Sequence, residues 1–96
     1  MANFIPSKGT IIYDDFNIDF TKPVKCQKDF LKEDLLQISL PDDLILDLGW
    51  YPECSVKGHF IIQIIKSYNW ESPIYKKSFN YSSDIYQKIN EALNTI

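Results

Sequence analysis

The sequence contains no arginine, and all ten of its positive charges are lysines. Arginine supplies the planar fork that suits phosphate and guanine. Its absence, with a net charge of −3, argues against nucleic-acid binding. The same lack also fits an AT-rich coding sequence, because the chain is rich in Ile, Asn, Lys and Tyr. Basic stretches interleaved with aromatics are missing as well. The nearest approach, Lys76-Lys77 between Tyr75 and Phe79, reads more simply as charge on an edge strand.

Cysteine is scarce too: only Cys26 and Cys54. A disulfide framework in a small secreted domain wants at least four cysteines, so both are expected to be reduced, as small buried hydrophobes or inert thiols. No apolar run approaches the roughly 20 residues of a membrane-spanning helix. The opening Met-Ala-Asn-Phe-Ile-Pro has no basic patch followed by an apolar stretch, so no secretory signal and a cytoplasmic location are expected. Glycines stand singly at Gly9, Gly49 and Gly58, which excludes a glycine-rich phosphate loop.

Catalytic sets are equally thin. His59 is the only histidine and cannot build a metal cluster alone. Cys54 and His59 could face each other across a turn, but no third orienting residue or oxyanion site accompanies them. Asp42 and Asp43 are sequence neighbours, whereas paired catalytic carboxylates come from separate elements facing a cleft. No catalytic residue, metal or cofactor is expected, and the chain reads as a non-enzyme.

What is present is a core. The 96 residues are 45% hydrophobic and 15% aromatic, enough for one domain over 1–96. Residues 1–9 read as a loose N-terminal arm. Thr10 to Tyr13 is a short β-type run, either an edge strand or an extended segment, and Asp14 to Thr21 a loop. Residues 22–32, with Pro23 near the start and Thr21 as a cap, predict a short helix.

The centre alternates with period two. Leu36, Ile38 and Leu40 share a face. After Pro41-Asp42-Asp43, Leu44, Leu46, Leu48 and Trp50 share a face, with Ile45, Asp47, Gly49 and Tyr51 opposite. His59 to Lys66 is apolar on both sides and is expected in the middle of the sheet. Ile74 to Phe79 reads as an edge strand. Ile85, Ile89, Ala92, Leu93 and Ile96 form one helical stripe over about Ser83 to Leu93, capped by Ser82 or Ser83. The expected fold is α+β: an antiparallel meander of about four strands against a C-terminal helix.

Charge is unevenly spread. Residues 33–56 carry Glu33, Asp34, Asp42, Asp43, Asp47 and Glu53 without a lysine. Asp14, Asp15 and Asp19 form a second acidic group. An acidic surface steers a basic partner toward it; a solvated surface would look the same in sequence.

Leu31-Lys32-Glu33-Asp34-Leu35-Leu36-Gln37-Ile38 leads into Leu46-Asp47-Leu48-Gly49-Trp50-Tyr51-Pro52-Glu53. Gly58-His59-Phe60 and Asn69-Trp70-Glu71-Ser72-Pro73 follow. In this order the residues resemble small immunity proteins of contact-dependent growth inhibition and related polymorphic toxin systems. The resemblance spans roughly residues 31–75. It implies an inhibitor, monomeric in a 1:1 complex, that binds the C-terminal domain of a toxin, often a nuclease with a basic cleft. It assigns no contacts, since the same Leu-Asp-Leu-Gly-Trp-Tyr alternation serves a central strand. Acids on turns and loops, Asp14, Asp15, Asp19, Asp42, Asp43 and Glu53, are the expected contacts, with Tyr51 and Trp70 as anchors. A non-enzymatic adaptor unrelated to toxins is the alternative.

Overall fold

The computed structural model describes residues 4–96. Its centre is a five-stranded antiparallel meander. The strands are β1 (Thr10–Asp14), β2 (Leu36–Leu40), β3 (Leu44–Tyr51), β4 (His59–Lys66) and β5 (Tyr75–Phe79), followed by α1 (Ile85–Leu93). Spatial order equals chain order: short turns join β2 to β3 and β3 to β4, while the long segment 15–35 connects β1 to β2. The α+β reading stands, with one more strand than expected. Thr10 to Asp14 is a true edge strand, paired to β2 with a register shift between Ile11 and Tyr13. That bulge and the exposed Lys76 and Lys77 of β5 blunt the two open edges.

The alternation reads onto the two faces as expected. Ile38, Leu46 and Ile64 are cross-strand partners, as are Leu36, Leu48 and Ile62. All six are fully buried beneath α1, whose Ile85, Ile89, Ala92 and Leu93 complete the same cluster. Trp50 lies in this core, its ring edge-on to Phe60 at 5.0 Å. Its indole N–H donates to the Ser55 carbonyl (2.8 Å), which ties the β3–β4 turn to the core. His59–Lys66 is an inner strand, flanked by β3 and β5, but β3 is the central one.

Four details depart from the sequence reading. The helix expected over 22–32 is two single 3₁₀ turns, Val24–Cys26 and Lys28–Phe30. The physical reason is Gln27, which is only 3% exposed. Its amide donates to the Asp19 and Lys22 carbonyls and to the Tyr81 hydroxyl, and its carbonyl accepts the Asp19 N–H. A continuous helix could not supply those bonds. Thr21 caps no helix; its hydroxyl donates to the Asp19 carboxylate.

The second departure is the arm. Residues 1–3 lie outside the described residues, but 4–9 are not loose. Phe4 packs on Tyr86 at 5.9 Å, and the Ser7 N–H donates to the Asn90 side chain (3.0 Å). Third, α1 starts at Ile85. Ser82 contributes outside it, its hydroxyl accepting the Asp84 N–H (3.2 Å). Ile96 falls past the helix and is 38% exposed. Fourth, both cysteines are free and exposed rather than buried.

Candidate protein-binding surface

Phe16, Ile18 and Leu31 join α1 on the core face. On the other face the register aligns Tyr13, Gln37, Asp47, Gln63 and Lys76 in one cross-strand row. Ser39, Ile45 and Ile65 form the row on one side, Gly49, Ile61 and Ser78 the row on the other. The open face is therefore more apolar than a solvated sheet surface requires.

Asp47 sits at its centre and is 2% exposed, although alternation puts it on the outer side. It accepts a hydrogen bond from the Gln37 amide (3.1 Å) and a second from Gln63. Burial pushes its carboxyl above the usual carboxylate range, against the pull of those two bonds.

Tyr51 continues the same face. Its ring reaches back over Gly49, where a Cβ would come within 2.8 Å of it. Burial, then the charges of Asp47, Asp34 and Glu33, push its phenol up to about 12. The hydroxyl is thus a neutral hydrogen-bond donor throughout physiological pH. Glu33 and Asp34 are exposed on a segment that runs beside β3, held by Trp50 N–H to the Lys32 carbonyl (2.8 Å) and Leu35 N–H to the Leu48 carbonyl (3.0 Å). A shallow pocket lined by Tyr13, Asp34 and Gln37 opens there.

The expected contact residues divide between two ends. Asp14, Asp15, Tyr51 and Glu53 belong to the end with the β3–β4 turn. Asp42, Asp43 and Trp70 belong to the other, where the Ser67 N–H donates to the Asp43 carbonyl (2.9 Å). β3 is eight residues long, so at about 3.3 Å per residue the ends lie roughly 25 Å apart.

Some of the acids are occupied locally. Asp15 pairs with Lys32 at 2.7 Å, and that hydrogen-bonded ammonium holds its carboxyl below the usual range. Asp14 accepts the Phe16 N–H (3.1 Å). Asp19 accepts the Thr21 hydroxyl (2.6 Å) and N–H (2.9 Å), which lower its carboxyl likewise. These three work as local braces.

Glu33 and Asp34, by contrast, stand beside Tyr51. Sequence reasoning counted them in the acidic stretch without singling them out. Their signal was the Gly49 opposite: a Cβ there would strike the Glu33 carbonyl, so that segment must lie close. Among the described residues no three of His, Cys, Asp and Glu converge to hold a metal ion, no helix is long and apolar enough to cross a membrane, and no hydrogen bond joins Cys54 to His59. Comparisons with family models, curated proteins and solved structures found no match to this chain.

Proposed function

We propose that this chain is an immunity protein that acts in the cytoplasm. It binds the C-terminal domain of a contact-dependent or related polymorphic toxin, a nuclease with a basic cleft, and covers its active site or a neighbouring surface. The observation that carries this reading is that the exposed Glu33 and Asp34 stand beside the half-buried Tyr51 at one end of the sheet face opposite α1. Exposed carboxylates raise the encounter rate with a positive cleft. A half-buried tyrosine ring supplies contact area with a polar tip, and Ile61 in the neighbouring row excludes water. The inhibitor performs no reaction, needs no cofactor and acts as a monomer in a 1:1 complex.

The test is co-expression with the protein encoded directly upstream. Growth is arrested by the upstream protein alone and restored by this chain, and the two co-purify. Tyr51→Ala weakens the complex by about 2 kcal/mol, as loss of a central aromatic anchor does. If the upstream protein is harmless, or remains lethal in the presence of this chain, the reading is wrong.

A further inference from the structure

The two edges of the sheet are protected by different means. The register of β1 shifts between Ile11 and Tyr13, and such a bulge breaks the run of main-chain groups that another strand needs. β5 pairs with β4 from Tyr75 to Phe79 without a shift and ends the sheet. An edge strand turns the N–H and C=O of every second residue away from its neighbour. Among the described residues no backbone–backbone bond beyond the sheet ladder involves 75–79. The protection at β5 is charge alone. Lys76 and Lys77 are exposed, the strand has no carboxylate, and among the described residues neither lysine forms an ion pair. The Lys77 ammonium lies over the Tyr75 ring, 5.5 Å from its centre. Such charge repels a like-charged strand and leaves the main chain open to an oppositely charged one.

The alternation along β5 sets what an added strand must carry. Tyr75, Lys77 and Phe79 stand opposite the buried Ile64, Ile62 and Phe60 and belong to the core side, whereas Lys76 and Ser78 belong to the other. The two lysines thus sit on opposite faces, and two consecutive acidic residues of a neighbouring strand would meet one each. Phe79 and Asn80 are shared by two adjoining hollows, one beside His59, the other beside Asp84, Ile85 and Lys88 at α1. An apolar residue opposite Phe79 has room there. A second copy is disfavoured: an antiparallel β5 pair centred on residue 77 sets lysine against lysine, and β1 carries the bulge. Phosphate polymers neutralise lysines but bring no ladder of N–H and C=O groups to an open edge.

We propose that β5 accepts an extended acidic segment of a partner protein as an added antiparallel strand, with consecutive carboxylates against Lys77 and Lys76 and an apolar residue two positions before the first of them against Phe79. The main-chain ladder supplies affinity and the side chains supply choice of sequence. This surface goes beyond the immunity reading and does not depend on it.

The test is an NMR titration of the full ¹⁵N-labelled chain with the blocked peptide Thr-Val-Leu-Thr-Glu-Glu-Val-Thr, its Lys-Lys counterpart and an oligothymidylate of matched charge. The acidic peptide shifts the amides of residues 75–80, slows hydrogen exchange at every second amide of 75–79, and binds about tenfold tighter than the Lys-Lys peptide. Lys76→Glu with Lys77→Glu, both exposed, leaves the core amide shifts in place and reverses that preference. Equal affinity for the two peptides, shifts without slowed exchange, or no shift at 75–80 at large excess overturns the proposal. Oligothymidylate binding at 75–80 as tightly as the acidic peptide does so too, since it marks a basic patch only. Shifts at 75–79 that grow with protein concentration alone assign the edge to a second copy and also overturn it. Failure of the immunity reading registers separately, in the growth assay.

Discussion

Asp47 is a carboxylate nearly closed off from water, 2% exposed in the middle strand of the sheet. Because burial raises its folded-state affinity for a proton above that of the unfolded chain, its negative charge works against folding at neutral pH. That penalty fades as pH falls through the raised folded value and is gone below the ordinary value of 3.8. Asp47→Asn is therefore expected to unfold at higher urea than the parent at pH 7, with the advantage shrinking toward pH 3.8. A parent more stable at pH 7 would mean that the bonds from Gln37 and Gln63 outweigh burial. Asp15 has the opposite sign: Lys32 lowers its carboxyl, so its contribution is present above the unfolded value and is lost as pH falls through the folded one. Being exposed, that pair is screened by salt. Gly49 is the sharpest steric constraint on the open face. A methyl there strikes the Glu33 carbonyl and the Tyr51 ring, and backbone does not yield cheaply. Gly49→Ala is expected to destabilise by about 2–3 kcal/mol in urea unfolding.

At the level of elements, the strands were legible because a half-buried sheet needs alternation, and Leu36 to Trp50 supplies it twice. The pattern left the strand order open, and the structure supplies it as a meander in chain order. The segment 22–32 was misread for an instructive reason. Its local signals, Pro23 and a scatter of lysines, do favour a helix. The deciding bonds run from Gln27 to Tyr81, 54 residues away, and no local pattern reveals them. Gln27→Ala would leave the Asp19 and Lys22 carbonyls and the Tyr81 hydroxyl without that donor. The expected loss is about 2 kcal/mol, with faster hydrogen exchange at residues 19–31 and unchanged exchange in β3 and β4; uniform acceleration would show that the loop is not a separate unit. The nine-residue α1 is too short to stand alone in water and depends on its buried stripe. Ile89→Ala is expected to cost about 3 kcal/mol, read in the same urea experiment.

Across the whole molecule, the acidic stretch 33–56 resolves into two surfaces rather than one. The turns at 41–43 and 52–58 lie at opposite ends of β3, which its strand reading already implied. What the sequence could not convey is how each acid is used. Asp14, Asp15 and Asp19 brace loops through local surface bonds, Asp47 is buried, and Glu33 and Asp34 are left facing outward beside Tyr51. Those assignments depend on neighbours distant in sequence. The measurement that bears most directly on this division of labour is the association rate of the purified chain with its proposed partner, the protein encoded directly upstream, followed across ionic strength. The rate should fall at least about tenfold between about 0.03 and 0.5 M salt. Glu33→Lys with Asp34→Lys should lower the low-salt rate comparably, while Asp84→Lys, at the start of α1 on the core side of the sheet, leaves it unchanged. An association rate indifferent to salt and to charge reversal at Glu33 and Asp34 would contradict the account.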